Sequence, residues 1–555
     1  MGQQAEPDSA GSAGVLKRLD RISASKGVAQ GVYASSVTFF FILILLPPIL
    51  GTALKLDKIG EVFSDPTLLA RSQSAISWSF ILAFTVASLD TLAGLPLAWL
   101  IVRSKRSWTS VVDTLADIPF IIPTVALGFS TLLFWGPQGL IKTLFGQGSL
   151  EPGFILVILL HFAFSLPVVV RVMVGALSGY KETFEIAART LGAEPFTAIR
   201  TVTLPILRPG LVASFLLSFA RSLSETGATI MVAGTFENGP VFIKIAKDTG
   251  LEGALSFTSF ALILGSIAAF IFIKYLGLKL RLPGSRVWPG IERRLSEQKA
   301  VLTRDAAILA ILTFLVLLPS LFIAFPITQA IFDGTLAEAV SGRGIWGTYW
   351  QSMVLSYLVA VVVTGINMIA GMPIAVLIAR KRFGRLGTSL VDTLVDVPIV
   401  VPSVALGVSL AFFWRTIGAL PEFLVLTLSH MTITYTYFVR AMSAAIESVP
   451  VYLEETARTL GARPLTVFRR IILPLTKYSI FAGAILTFTR SVDETGASAA
   501  VSSQLKTVPV LLVDWIKGGV QVSRSTQSLG VGLLVVISFI ALFALRLTVR
   551  RGRAT

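Results

Sequence analysis

The sequence predicts an all-α integral membrane protein whose twelve membrane-spanning helices form two parallel six-helix repeats. Three observations lead to this prediction. Of the 555 residues, 54% are hydrophobic and only 14% are charged, which leaves too few polar side chains to cover a soluble surface. The apolar residues form blocks close to the length of about 20 residues that crosses a bilayer core about 30 Å thick. Many residues of the second half also repeat those of the first at a constant offset.

The apolar blocks define the predicted spans, and each span is expected to be helical because lipid offers no partner to backbone N–H and C=O groups. The basic side chains concentrate in every second loop, so the positive-inside rule places both termini in the cytoplasm. The predicted spans cover residues 32–54, 74–102, 111–135, 154–175, 210–233 and 255–277 in the first half, and 303–325, 350–379, 390–414, 423–443, 478–501 and 528–548 in the second.

The repeat also predicts the domain organisation. Both halves contain the same number of spans with the same sidedness, so the repeat is parallel rather than inverted. The predicted segments are a cytoplasmic N-terminal tail (1–30), a first half (31–277), a cytoplasmic linker (278–302), a second half (303–549) and a cytoplasmic C-terminal tail (550–555). The matched positions include Asp113 with Asp392, His161 with His430, Arg171 with Arg440, Arg221 with Arg490, and Glu225 with Glu494.

A long cytoplasmic loop between the fourth and fifth spans carries one motif in both halves. Glu, Ala, Arg and Leu favour a helix, and the glycine that follows ends it. Each loop is therefore expected to hold a short amphipathic helix suited to a groove on a cytoplasmic partner. The motif residues are Glu182, Glu185, Ala187, Ala188 and Gly192, followed by Leu204-Pro205, in the first half, and Glu454, Glu455, Ala457 and Gly461, followed by Leu473-Pro474, in the second.

These loops resemble the EAA loop of permeases in binding-protein-dependent ATP-binding-cassette importers. That pattern is Glu-Ala-Ala, a glycine four residues after the second alanine, and a later Leu-Pro. The glycine and the Leu-Pro match in both halves, but the glutamate of the pattern falls on Ile186 in the first half and on Glu455 in the second, where Thr456 replaces the first alanine. The resemblance implies a type I importer permease fold. It also implies that each loop is a coupling helix seated on one of two copies of a cytoplasmic ATPase.

The resemblance implies further that an extracytoplasmic binding protein delivers a small solute to this chain. The sequence has no Gly-x-x-x-x-Gly-Lys-Ser/Thr phosphate-binding loop. We therefore expect a transport subunit of the cell membrane rather than an enzyme, with ATP hydrolysis on the separate ATPase subunits. No cofactor is expected on this chain. The net charge of +16 is explained by basic loops at the membrane surface, and no nucleic acid partner is predicted.

The fifth span of each half carries an arginine and a glutamate four residues apart, which would place both on one helix face. Ionisable groups inside a membrane are costly and usually functional. Two interpretations stay open: an internal ion pair that packs the bundles together, or groups that line the pathway or its gate, as the fifth span does in the resembling permeases. Asp493, which matches Ser224, either attracts a cation or faces water at a rim. The pathway candidates are Arg221, Glu225, Arg490, Asp493 and Glu494.

The third span of each half carries two prolines, which remove helix hydrogen bonds and bend the span. A structural hinge and a gate are both consistent with this pattern, and the residues concerned are Pro119, Pro123, Pro398 and Pro402.

The only two histidines, His161 and His430, are related by the repeat, and the chain contains no cysteine. Two imidazoles are few ligands for a metal ion. The sequence therefore predicts packed, hydrogen-bonded histidines and no metal site.

The intramembrane charges do not decide the solute, because the arginines suit an anion and the carboxylates suit a cation. The fusion of two halves most resembles ferric-iron permeases, whereas Glu-Thr-Gly-Ala after an arginine resembles sulfate and molybdate permeases; thiamine and polyamine permeases are also related. We favour ferric iron, with an inorganic oxyanion as the other candidate. The alternative class is an ion- or proton-coupled secondary transporter with twelve spans, which would not need the paired loops.

Overall fold

The computed structural model describes residues 20–104, 106–146, 148–279 and 289–551, and the regular structure in these ranges is entirely helical. The all-α class is therefore confirmed. Most of the predicted N-terminal tail, the centre of the linker and the end of the C-terminal tail lie outside the described residues, as does Lys105 of the first basic loop.

The first half contains fifteen α-helices and two π-helical segments among its described residues. In chain order they are α1 (Lys26–Phe39), π1 (Phe40–Leu45), α2 (Leu46–Ala53), α3 (Leu56–Ser64), α4 (Pro66–Arg103), α5 (Thr109–Leu115), α6 (Ile118–Ile121), α7 (Thr124–Trp135), α8 (Leu140–Phe145), α9 (Phe154–Ser178), α10 (Thr183–Thr190), α11 (Pro195–Ala198), π2 (Ile199–Thr203), α12 (Leu204–Ser224), α13 (Gly227–Val232), α14 (Gly239–Asp248) and α15 (Glu252–Lys279).

The second half repeats this order after a short helix in the linker. Its elements are α16 (Pro289–Ser296), α17 (Gln298–Ile311), π3 (Leu312–Leu317), α18 (Leu318–Leu321), α19 (Ala324–Phe332), α20 (Thr335–Ser341), α21 (Ile345–Ala379), α22 (Gly384–Val395), α23 (Val397–Val400), α24 (Ser403–Ile417), α25 (Glu422–Ser448), α26 (Val451–Thr459), α27 (Pro464–Val467), π4 (Phe468–Ile472), α28 (Leu473–Val492), α29 (Gly496–Val501), α30 (Val508–Ile516) and α31 (Arg524–Arg551).

The long apolar helices correspond to the predicted spans. In the described part of the chain ten helices are long and apolar enough to cross a membrane, and the bent pair formed by α22–α23 and α24 adds an eleventh. The helix α25 has the place in the repeat and nearly the length of α9, but its threonines and serines make it less apolar. The architecture of two six-helix repeats is confirmed, with α25 as the twelfth span by position.

The third predicted span of each half is broken rather than merely bent. The residues before Pro123 and Pro402 have extended backbone, as the steric demand of a following proline requires. The two parts of the second-half span meet at 102°. Pro119 and Pro398 lie one turn earlier, in α6 and α23. As a result α7 and α24 turn into the protein, where most of their side chains are buried.

The π-helical segments occupy repeat-related positions, each just before a helix with proline in its first turn. A proline supplies no N–H to the carbonyl four residues earlier. In π1 the N–H of Leu46 instead reaches back five residues to Phe41, and in π2 that of Leu204 reaches Ile199. Local π geometry of this kind lets a helix continue past a proline.

The first span of each half packs against the third-span helix of the other half. The Ser409 hydroxyl donates a hydrogen bond to the Pro47 carbonyl at 3.3 Å. At the repeat-related position the Ser130 hydroxyl donates to the Pro319 carbonyl at 2.5 Å. The two halves are therefore interlocked, and α7 and α24 are held between first and second half.

The crossing of α2 over α24 depends on Gly51. A Cβ atom there would lie 1.7 Å from the carbonyl oxygen of Ser409, and overpacking of this kind costs about 1–3 kcal/mol. We expect Gly51→Ala to lower the thermal unfolding temperature of the detergent-purified protein by several degrees. Gly60→Ala is the matched control, because a Cβ at Gly60 in α3 meets nothing within 4 Å. Equal unfolding temperatures for the two variants would contradict the tight crossing.

Candidate functional site

The two cytoplasmic loops fold as predicted into short helices that end at a glycine. Gly192 after α10 and Gly461 after α26 have φ values of +91° and +86°, a left-handed conformation that glycine adopts without a Cβ penalty. The following N–H groups bond back to the helix, Ala193 to Ala188 at 3.1 Å and its counterpart in the second loop at 2.9 Å. This is the Schellman arrangement, which fixes the direction of the chain after each helix.

One glutamate in each loop is turned inward toward the membrane-spanning helices. Glu454 is buried and lies 2.7 Å from Arg380, which follows α21 directly. Glu185 is its repeat counterpart and lies 3.5 Å from Arg103, the last residue of α4. Arg103 also pairs with the more exposed Glu182. Each loop is thus tied to the cytoplasmic end of the second span of its own half.

The outer faces of the loops carry large exposed side chains. In the first loop Phe184, Ile186 and Leu191 are 52%, 53% and 89% exposed, and in the second Tyr452 and Leu460 are 63% and 83% exposed. The predicted motif residues divide between the two faces, with Ala188 and Ala457 half-buried and the rest of the set described here as follows: Glu182, Ala187, Gly192, Glu455 and Gly461 are exposed, and Glu185 is half-buried.

Each predicted fifth span is two helices instead of one. The helix α12 ends at Ser224 and α28 ends at Val492, in both cases before the glutamate. The prediction that the arginine and the glutamate share one helix face is therefore wrong. Arg490 nevertheless reaches Glu494 at 2.6 Å, whereas the ion pair that the structure gives Arg221 is to Asp493, in the other half.

The two glutamates cap the short helices that follow the breaks. The carboxylate of Glu225 accepts the N–H of Ala228 at 3.2 Å, and that of Glu494 accepts the N–H of Ala497 at 2.9 Å. A helix start leaves N–H groups without intrahelical partners, and water cannot supply partners inside a membrane. The break and the glutamate therefore belong together, which is why neither glutamate lies on the preceding helix.

Asp493 joins the two halves. Its carboxylate accepts the N–H and the hydroxyl of Thr124, the first residue of α7, at 2.7 and 3.2 Å, and lies 3.8 Å from Arg221. Its side chain is only 15% exposed, so the predicted alternative of a rim position facing water is wrong. Ser224, the matching residue, offers only its backbone carbonyl, to the hydroxyl of Ser403 at 3.2 Å.

The five pathway candidates therefore meet at one junction between the halves. Glu225 lies close enough to Arg490 and Asp493 to interact electrostatically with both. Close packing surrounds the cluster, since a Cβ at Gly227 would lie 2.6 Å from the Thr495 hydroxyl. The junction holds two guanidinium groups and three carboxyl groups, and small residues let the two broken spans touch there.

Each histidine is fully buried and uses both ring nitrogens, as predicted. His161 lies 2.8 Å from the hydroxyls of Ser222 and Thr229. His430 makes the equivalent contacts to Ser491 and Ser498, at 2.9 and 2.7 Å. Each imidazole thus links the fourth span to both parts of the broken fifth span. No cluster of three or more metal-ligating side chains occurs among the described residues.

The sequence analysis did not predict the partners of Arg171 and Arg440. Arg171 bridges Asp113 and Asp117 at 2.7 and 2.5 Å, and Arg440 makes the same bridge to the two repeat-related aspartates in α22 and after it. These clamps hold the fourth span against the third span just before its proline break. The recurrence of one arginine and two aspartates in both halves was the signal in the sequence.

The sequence analysis also missed Asp90, a buried acid in the second span. Its carboxyl group accepts the hydroxyls of Ser165 and Ser218 at 2.5 and 2.6 Å. In the second half Asn367 donates to Thr434 at 2.9 Å in the matching place. The repeat thus keeps a polar contact between the second and fourth spans while changing its charge.

A family model described as "Binding-protein-dependent transport system inner membrane component" matches residues 90–282 and 371–551, once in each half. These two matches cover more than half of the chain. The chain is 32% identical over 202 residues to the sulfate transport system permease protein CysT of Salmonella typhimurium, which is 35% of this chain and 72% of that protein.

Two further relatives are named for molybdenum. The chain is 30% identical over 250 residues to the molybdenum transport system permease protein ModB of Mycobacterium bovis, covering 44% of this chain and 91% of the relative. It is 36% identical over 157 residues to ModB of Escherichia coli K12, covering 27% and 69%. Each of these alignments spans less than half of this chain, consistent with a fusion of two such permeases.

The buried ion pair between Glu454 and Arg380 predicts a selective effect on the second loop. Glu454→Gln removes the charge, and weakening a buried charge-assisted contact costs on the order of 1–3 kcal/mol. We expect faster trypsin cleavage at the exposed Arg458 and Arg463 of the purified protein. Glu455→Gln, at an exposed neighbour on the same helix, should be cleaved at the wild-type rate. Equal cleavage of both variants would contradict the anchoring of the loop through Glu454.

Proposed function

Because this chain belongs to the family of binding-protein-dependent transport system inner membrane components, we propose that it forms the membrane pathway for import of an oxyanion of the sulfate or molybdate class. Members of this family are multi-pass cell-membrane permease components and not enzymes, and ATP hydrolysis lies in separate subunits. The substrate class rests on the relatives, which are named for sulfate and molybdenum transport. None of the relatives named above supports ferric iron, which the sequence analysis favoured.

The chemistry of the junction between the halves is compatible with an oxyanion. Arginine guanidinium groups and helix N-termini are the donors that bind tetrahedral anions in proteins. Arg221, Arg490 and the N-terminus of α7 all lie at this junction. Arg490 is engaged by Glu494 at 2.6 Å, whereas Arg221 is 3.8 Å from Asp493. We therefore propose that Arg221 is the guanidinium that meets the passing anion.

We propose that the same junction acts as a gate. In this structure the carboxyl groups of Glu225, Asp493 and Glu494 surround the two arginines and would repel an anion. Separation of the halves would move Asp493 away from Arg221, because these residues belong to different halves. The positive charge would then be exposed to the solute only in the open state. The broken third spans lie against this junction, so the prolines would permit its opening.

We propose that the two loops are the coupling elements, each docked on one of two copies of a cytoplasmic ATPase. The exposed Phe184 and Leu191 in one loop and Tyr452 and Leu460 in the other suit an apolar groove. The inward pairs of Arg103 and Arg380 would carry loop motion to the second spans. The alternative of an ion-coupled secondary transporter does not fit a family defined by dependence on a binding protein.

The cytoplasmic orientation of both termini is part of the same proposal. Asp20, near the N-terminus, bonds to the backbone of Thr466 just after the second loop, so the N-terminal region and the proposed ATPase-docking face share one side of the protein. The even number of spans then returns the C-terminus to that side. A binding protein would dock at the opposite face.

The oxyanion assignment predicts a defined substrate profile. The permease, assembled with its ATPase and binding protein in proteoliposomes, is expected to accumulate radiolabelled sulfate or molybdate only when ATP is supplied. Excess unlabelled sulfate or molybdate should compete, and ferric citrate should not. ATP-driven uptake of ferric iron with no uptake of either oxyanion would refute the substrate class while leaving the permease assignment intact.

The role proposed for Arg221 predicts a charge-dependent loss of uptake. Arg221→Gln should lower oxyanion uptake at least about ten-fold, which corresponds to 1.4 kcal/mol, while Arg221→Lys should retain part of it because the charge remains. Arg343→Gln is the control, since Arg343 is exposed and remote from the junction. Wild-type uptake by Arg221→Gln, at wild-type protein yield, would remove this residue from the pathway.

A further inference from the structure

Two short segments precede the first span of each half on the cytoplasmic side. We call residues 20–25 the first elbow and residues 289–297 the second elbow. Neither elbow contributes to the junction or to the outer faces of the coupling loops. Each elbow nevertheless bonds to a coupling loop, and in both cases that loop belongs to the opposite half of the chain.

The second elbow is fixed to the first loop by a buried carboxylate. Glu292 is 2% exposed and accepts the hydroxyl of Thr197 at 2.5 Å and a guanidinium N–H of Arg200 at 2.9 Å. One turn later the Ser296 hydroxyl accepts the N–H of Phe196 at 3.0 Å. These partners lie in α11 and π2, directly between the coupling helix α10 and the fifth span.

The first elbow makes the corresponding contact to the second loop. The carboxylate of Asp20 accepts the N–H of Thr466 in α27 at 3.0 Å. Asp20 also borders a cavity of about 590 Å³ that the loop residues Arg463 and Arg470 line with it. This elbow is the weaker of the two, because Asp20 is only half-buried and Arg469, the repeat counterpart of Arg200, is exposed.

The two contacts are copies of one contact. Asp20 and Glu292 are 272 residues apart, the same offset that separates Pro47 from Pro319 in the first spans. Their partners Thr197 and Thr466 are 269 residues apart, the offset of the fourth and fifth spans. A carboxylate in the elbow and a threonine after the coupling helix therefore recur in both halves of the chain.

We propose that Asp20 and Glu292 are crossed latches that hold each coupling loop to the first span of the opposite half. The inference rests on the proposed coupling role of the loops. The first spans also pack on the third-span helices of the opposite half, through Pro47 and Pro319. A loop therefore carries with it, through its latch, a helix that lies against the gate in its own half. Asp20 and Glu292 are positioning residues for transport and touch no solute.

This arrangement gives motion of one loop two outlets into the membrane. The pair with Arg103 or Arg380 moves the second span of the same half. The latch moves the first span of the other half, which lies on the third-span helix next to the junction. Both outlets have to move together for the junction to open as one unit, and the latches supply that connection across the two halves.

The crossed pattern can be measured in the purified permease alone. The chain contains no cysteine, so a single spin label can be placed at Leu191→Cys in the first loop or at Leu460→Cys in the second. We expect Glu292→Gln to increase the nanosecond mobility of the label at 191 and to leave the label at 460 unchanged. Asp20→Asn should have the opposite pattern, with a smaller change because its contact is less buried.

Matched controls lie within the same elbows. Glu297→Gln and Arg21→Gln alter exposed charges of the second and first elbow and should leave both labels unchanged. Ser296→Ala, a conservative change that removes the bond to Phe196, should loosen the label at 191 even where Glu292→Gln lowers the protein yield. Loosening of the loop in the same half, of both loops alike, or of neither loop would overturn the proposal.

A second measurement separates a latch from a local structural contact. In proteoliposomes with the ATPase and the binding protein, the double variant Asp20→Asn with Glu292→Gln should transport several-fold less labelled sulfate or molybdate per ATP hydrolysed than wild type. An unchanged ratio would overturn the coupling role of the latches. The label experiment needs neither solute nor ATPase, so failure of the oxyanion assignment leaves its outcome interpretable.

Discussion

Partners for backbone groups inside the membrane are the constraint on which this structure depends. Where a spanning helix breaks, the freed N–H groups have to be satisfied by the protein itself. At the broken fifth spans Glu225 and Glu494 do this for the helices that follow. At the broken third span of the first half the carboxylate comes from the other half, as Asp493 accepts the N–H of Thr124. The need to complete one half's backbone with the other half's side chain is what brings the charged groups to a common junction.

The exchange of elements between the halves follows the same logic over longer distances. The first spans cross to the opposite third-span helices through Pro47 and Pro319, and the elbows before them cross to the opposite loops through Asp20 and Glu292. A chain arranged in this way cannot move one bundle while the other stays still. For an importer driven from the cytoplasm, this interlocking converts two separate loop movements into one change at the junction.

The fusion of two halves in one chain has allowed them to diverge. Asp493 stands opposite Ser224, and Asn367 stands opposite Asp90. On the loops, Ile186 faces outward in one half where Glu455 does so in the other. Two copies of one ATPase would therefore meet different surfaces. The acid that faces inward, Glu185 or Glu454, is the same in both halves, because it pairs with the arginine at the end of the second span.

The sequence by itself determined the helical class, the parallel repeat, the two loops with their terminal glycines, and the proline positions at which the third spans break. All of these follow from local composition and spacing, which act within a few residues of the chain. The sequence did not determine that the fifth spans end before their glutamates, or that Asp493 serves Thr124 some 370 residues away. Nor did it indicate that each elbow serves the opposite loop. Those outcomes were decided by the tertiary structure, because a buried charge or a free N–H takes whichever partner packing brings within hydrogen-bond reach.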